Sequence, residues 1–193
     1  MRFVFFKNNA AGILETGVPR PLPYGYSYRI WRPTVTNIFP RDVLKVHGSH
    51  LSVLAWWVLQ YLLTRRRIYR IVLIYHNGEL VHFTLLSPKN LRCPFMKRDD
   101  AKLGKTWTAK PHRGKGLATF AVKQLVLPFK DTDMDFWWYC EEGNQASIGL
   151  AEKLGLRYVG SGCCKSRLGI EKLRFFCITH VENVMIESRT QNE

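Results

Sequence analysis

The sequence predicts a mixed α/β fold, one mixed β-sheet flanked by helices, on three observations. Strand-like and helix-like segments are intermixed along the chain rather than strictly alternating, the pattern of a single mixed sheet with helices laid over it. Asn77-Gly78 falls between two β-rich runs and is the best hairpin signal present, so part of the sheet is antiparallel. At 193 residues, 46% hydrophobic and 13% aromatic, the chain fills one core and is short for two. With no internal repeat, low-complexity tract or linker-like break, residues 1–193 are expected to form a single domain.

The elements follow in order. Prolines 19, 21, 23, 33 and 40 break regular structure early, but Tyr24 to Arg32 (YGYSYRIWR) is aromatic enough for one strand. His50 to Arg66 is expected as a helix, with Ser49 as its cap. Ile68 to Tyr75 and Leu80 to Leu86 are the two arms of the hairpin, and Lys102 to Lys110 is a further strand. Gly116 to Leu127 is predicted as a helix stopped by Pro128, because proline cannot donate to the helical ladder. Met134 to Cys140 is a strand of large apolar residues, and Asn144 to Leu154 a helix that Gly155 ends. Leu156 to Gly160 and Leu173 to Thr179 are read as final strands joined by a Gly-rich, Cys-containing loop, with 187–193 a frayed polar tail.

Charge and cysteine content narrow the setting. Lys and Arg total 29 against 15 Asp and Glu, and a net charge of +14 draws in anionic partners. Five cysteines without a C-x-x-C pair make neither a disulfide framework nor a zinc spacing, so no metal is expected and reduced thiols in the cytoplasm are. The short apolar stretch from Met1 to Lys7 lacks the hydrophobic core of a secretory signal. Leu51 to Leu63 is about 13 residues against the ~20 a spanning helix needs. It is expected as a core helix, the alternative being peripheral membrane contact by 51–67 through Trp56, Trp57 and Arg65 to Arg67.

The stretch Thr106-Trp107-Thr108-Ala109-Lys110-Pro111-His112-Arg113-Gly114-Lys115-Gly116-Leu117-Ala118 runs from a predicted strand through a basic glycine turn into a predicted helix. Such a junction cradles anions: the glycines permit close backbone approach, the first helical amides have no intrahelical partner, and the helix dipole is positive there. It is neither a Walker A loop nor a Rossmann turn.

Arg113-x-x-Gly116-x-Ala118 resembles the Arg/Gln-x-x-Gly-x-Gly/Ala signature of the GNAT acetyltransferase superfamily. Asn144 to Leu156 (NQASIGLAEKLGL) is similar to its Asn-led helix ending in Glu-Lys-x-Gly-Phe before a strand. The likeness covers about Leu80 to Phe176, while residues 1–70 are divergent. It implies a splayed sheet whose two parallel central strands open into a V that receives acetyl-CoA. Amides from Arg113 through Gly114, Lys115, Gly116 and Leu117 to Ala118 would hold the pyrophosphate. The strand edge at Trp107, Thr108 and Ala109 would pair with the pantetheine arm, one amide polarising the thioester carbonyl. Asn144 is similar to the family residue that hydrogen-bonds the cofactor, and Ser147, one turn on, either joins it or serves helix packing.

Direct transfer to an amine needs a proton acceptor for the nucleophile and an acid for the departing thiolate. Many family members use as that acid a tyrosine just before the Glu-Lys pair, and here that position is Ala151. Cys140 is the substitute acid to weigh against a plain buried thiol. For the base, the strand before the turn offers Lys102 and Lys105 rather than an acidic residue, and His82 is the first alternative because imidazole titrates near neutrality. His76 lies near the hairpin turn, His112 suits a phosphate contact as well as it suits a base, and Asp99 and Asp100 precede the strand.

The expected partners are acetyl-CoA and a small-molecule amine, with a nucleotide-linked amino sugar attractive because it combines a phosphate for Arg or Lys with a sugar amine. An acyl group on an acidic carrier is another donor suited to the basic face. A nucleic-acid-binding module ranks below the enzyme, since no RNP, zinc-finger or basic-zipper pattern is present. A GNAT-like protein that binds acyl-CoA without catalysis is the third reading.

Overall fold

The structure, a computed structural model, describes residues 1–17, 20–34, 40, 42–43, 68–167 and 170–181. Its strands are β1 (Arg2–Asn9), β2 (Tyr26–Trp31), β3 (Arg70–His76), β4 (Glu79–Pro88), β5 (Ala101–Thr108), β6 (Asp135–Glu141), β7 (Arg157–Arg167) and β8 (Ile170–Val181). Its helices are α1 (Ala10–Glu15), α2 (Leu117–Val126) and α3 (Gln145–Lys153). The strands make one mixed sheet in the order β2-β3-β4-β5-β6-β1-β7-β8. Every neighbouring pair is antiparallel except β5 and β6, which run parallel and pair only at Ala101–Phe136 and Lys102–Trp137.

That short parallel pairing positions the site. Beyond Lys102 and Trp137 the two strands separate, leaving an open V between their C-terminal halves. α2 packs against β3 and β4, burying Leu117, Ala121 and Leu125 along one stripe with Phe120, Val122 and Val126 beside it. These side chains join Phe136, Trp138, Leu154 and Leu156 in the main core. The opposite face of the sheet carries two smaller clusters, Trp31, Ile71, Leu73, Phe83 and Leu85 in one and Cys93, Met96 and Trp137 in the other.

The hairpin is as expected: Asn77 and Gly78 both have positive φ, 51° and 81°, the geometry of a two-residue turn whose twist matches its strands. Gly155 follows α3 at φ 70° and ends it. Pro128 does stop α2, through a 3-10 turn at Leu127–Phe129.

Two sequence expectations need correction. Arg2–Asn9, read only as too short for a signal, is a central strand between β6 and β7, and α1 follows it directly. Val4, Phe5 and Phe6 are buried in succession, so no alternation marks the strand. The Gly-rich segment after Gly160 is strand rather than loop: β7 runs to Arg167, and Cys163 faces Cys177 of β8. Gly160 and Gly162 fit because a Cβ at either would run into the β8 backbone, at His180 and Cys177 respectively. The helix expected at 50–66, the membrane contact proposed for 51–67 and the tail at 187–193 lie outside the described residues.

Candidate active site

The V opens into a cleft of about 830 Å³, with β5 and β6 as its walls and the N-termini of α2 and α3 at its rim. On the α2 side, Gly114 and Gly116 have φ of 75° and 78°, a conformation that favours glycine and turns the chain so that α2 begins at the cleft. Gly116 is the N-cap and provides no side-chain bond, and the first turn holds no acidic residue. The leading amides of α2 are therefore left for an anion, where the helix dipole favours one. Arg113, Gly114, Gly116, Leu117, Ala118 and Thr119 all line the cleft. Arg113 Nε donates to the Thr108 carbonyl at 3.2 Å, tying the turn to the end of β5.

α3 supplies the other rim. Asn144 caps it, its side-chain oxygen accepting from the Ser147 amide at 3.1 Å, which leaves the carboxamide NH2 as its donor toward the cleft. Ser147 Oγ accepts from Trp138 Nε1 at 3.0 Å and hydrogen-bonds the Cys140 thiol, fastening α3 to β6. Burial pushes the Cys140 thiol above its ordinary range, so Cys140 is a neutral thiol at the cleft wall. Asn144, Ser147 and Cys140 thus stand together at this rim of the cleft.

Other candidates fall elsewhere. Trp107 stacks on Phe83, ring centroids 5.9 Å apart, on the sheet face away from α2, and is not part of the cleft wall, whereas its neighbour Thr108 is. The Ala109 amide donates to Val81 at 2.9 Å, so that donor is already used within the sheet. Lys115 reaches outward, its Nζ 5.6 Å from the Tyr26 ring centroid. His112 does line the cleft, beside His76 and hydrogen-bonded to the Tyr26 hydroxyl at 2.7 Å.

His82 is wholly buried behind the cleft. Its Nδ1 is 2.8 Å from Thr108 Oγ1 and its Nε2 2.9 Å from Thr84 Oγ1, which in turn lies 3.2 Å from Thr106 Oγ1. Burial brings its pKa down to about 4. A neutral, doubly hydrogen-bonded imidazole tethers β4 to β5 and is a poor proton acceptor for a substrate. Ala151, where the family tyrosine would stand, is buried in the main core rather than facing the cleft.

The structure adds features the sequence did not show. Lys105 has φ 46°, and the β4–β5 register shifts between Phe83 and Leu85, so β5 bulges in the middle of the cleft wall. A bulge re-aims backbone amides out of the ladder, a ready oxyanion contact. Tyr139 and Phe3 line the same end.

A family model for the GNAT acetyltransferases matches residues 30–156. The chain belongs to the GNAT acetyltransferase family. Solved structures agree on the GNAT fold. A tandem GNAT protein from the clavulanic acid biosynthesis pathway is similar with a TM-score of 0.55 at 17% identity, over 81% of this chain and 50% of that one. A GNAT acetyltransferase from Colwellia psychrerythraea gives 0.52 at 13% identity, over 81% and 52%. A Drosophila protein gives 0.58 at 14% identity, over 83% and 48%. This GNAT chain therefore spans about half the length of the structures it resembles. No curated protein matches it.

Acyl-CoA chemistry fits the residues present. The uncapped α2 amides form an anion cradle, and beyond Lys102 the β5 strand no longer pairs with β6. Among the described residues no cluster of metal-ligating side chains occurs.

Proposed function

We propose that this GNAT chain is an acyl-CoA-dependent N-acyltransferase that moves an acetyl group from acetyl-CoA directly to the amine of a small molecule. The observation that carries the reading is the alignment of an uncapped helix N-terminus, an open β5 edge and a bulge along one wall of the V. The amides from Arg113 to Ala118 hold the diphosphate, the freed edge of β5 orders the pantetheine arm, and Asn144 adds a donor from the other rim. An amide at the bulge polarises the thioester carbonyl. One such donor is worth about 3–4 kcal/mol of barrier. Holding amine and thioester in contact supplies a further ~7–11 kcal/mol.

An anionic amine, such as a nucleotide-linked amino sugar, suits the acceptor end, because Lys105 lines the cleft there and Arg92 stands near enough to it to lower its pKa, after burial, the larger cause. The cytoplasm is the compartment that suits five free thiols. Ala151 in the core favours a second reading, acyl-CoA binding without turnover.

Thiol release from acetyl-CoA across amino sugars, amino acids and polyamines tests the choice. Acetyl transfer to a member of the panel is expected. Stabilisation by acetyl-CoA without transfer to any of them would install the second reading.

A further inference from the structure

Tyr139 stands where the V opens. Lys102 and Trp137 are the last paired residues of β5 and β6, so two residues farther along each strand Gly104 comes opposite Tyr139, and both line the cleft. The phenol oxygen accepts a hydrogen bond from Lys102 Nζ, which also sits 4.0 Å from the ring centroid, and Cys93 Sγ is 3.8 Å from the same oxygen. Rings hold the phenol in place: Phe3 and Phe5 of β1 and Phe176 of β8, with centroids 6.5, 5.8 and 4.4 Å away. The charged and titratable groups around the pair are Lys105 on β5, Arg92 and Cys93 on the β4–β5 loop, and Cys164 on β7. Among the described residues Lys102 has no carboxylate partner there.

We propose that Tyr139 and Lys102 form a proton relay for acyl transfer, Tyr139 taking the proton of the attacking nucleophile while passing its own to Lys102 Nζ. This rests on the acyltransferase reading above. The nucleophile's lone pair forms the new bond to the carbonyl carbon, the C–S bond breaks, and sulfur leaves with the electron pair. The proton given to Lys102 returns along the same path to the thiolate, so both residues end as they began. Tyr139 is the catalytic residue, and Lys102 acts through it.

The surroundings suit these roles. Desolvation brings Lys102 down to about 8, aided by Lys105 and Arg92 and opposed by Cys93. At pH 7.5 such an amine is about one quarter neutral, against ~0.1% for an ordinary lysine. Burial pushes the Tyr139 hydroxyl well up, so it remains a phenol and hands protons on rather than keeping them.

Two measurements test the relay. The first needs no turnover: carbon-13 NMR of lysine-labelled protein, with Lys102 assigned by Lys102→Arg. A titration midpoint near pH 8 is expected, and one above pH 10 would overturn the proposal. The second follows thiol release from acetyl-CoA with water and then ethanolamine as nucleophile. With water the rate should climb about tenfold per pH unit below pH 8 and then level, and with ethanolamine the same profile should appear once the rate is divided by the fraction of amine that is neutral. Tyr139→Phe and Lys102→Arg should each lower it at least ~100-fold, with stabilisation by acetyl-CoA unchanged. Arginine keeps the cation and its hydrogen bond, so a merely structural lysine would be rescued by it. A wild-type pH profile in Lys102→Arg, or release no faster than the uncatalysed reaction with both nucleophiles, would defeat the relay and leave the cofactor site standing. Absence of any stabilisation by acetyl-CoA would remove the acyltransferase reading and the relay with it.

Discussion

His82 shows how one side chain can look catalytic in sequence and be structural in space. Its two ring nitrogens bind threonine hydroxyls, and burial holds its pKa at about 4. Between that value and the ordinary 6.5, the unfolded chain binds a proton that the native chain refuses. Stability from this residue is therefore complete above pH 6.5 and is lost as pH falls toward 4, about 3 kcal/mol in all. Urea unfolding at pH 7 and 4.5 should show this loss in the wild type and a much flatter dependence in His82→Gln. Equal slopes in the two proteins would contradict the assignment. Arg70 presents a different case: it is buried with Nε and Nη1 lacking hydrogen-bond partners, and its guanidinium lies over Phe129 at 4.5 Å. An unpaired buried charge is a net cost, so Arg70→Met should raise the melting temperature, by the equivalent of ~1–2 kcal/mol. A lower melting temperature would mean that the cation contributes more than its desolvation takes away.

At the scale of elements, the N-terminus of α2 is where stability and function separate. Thr119 is its third residue, in the first turn and at the cleft. Thr119→Glu places a better helix former and a negative charge beside the positive end of the dipole, which should stabilise the free protein by about 0.5–1 kcal/mol. The same charge repels a diphosphate, so affinity for acetyl-CoA should fall at least tenfold. Calorimetric titration and thermal unfolding read the two effects independently. Unchanged affinity in a more stable variant would show that the phosphates bind elsewhere. This turn was legible in the sequence because its chemistry is local: glycines, basic residues and a helix start lie within a few positions. Asn144 was legible for the same reason. The relay was not, since Lys102 and Tyr139 are 37 residues apart and meet only because β5 and β6 pair for two residues before diverging. β1 was missed because three consecutive buried residues erase the alternation that marks a strand. Gly160 and Gly162 suggested a loop, whereas in β7 they mark the close approach of β8.

Across the whole molecule, the V is a consequence of strand order. β4 holds one edge of β5 and β1 holds the far edge of β6, so the two parallel strands are anchored outward and free to separate inward. The cleft between them gathers Lys105, Arg113 and Lys153, with Glu141 its one acidic wall residue among those described. The net charge of +14 then favours approach of a phosphorylated donor before any specific contact forms. Thermal unfolding with acetyl-CoA, coenzyme A or a control nucleotide tests the central claim most directly. Preferential binding to the native state stabilises by about 2.7 kcal/mol at one hundred times the dissociation constant. The melting temperature should rise by several degrees with both coenzymes and not with the control. No rise at millimolar coenzyme would contradict the assignment of the V as an acyl-CoA site.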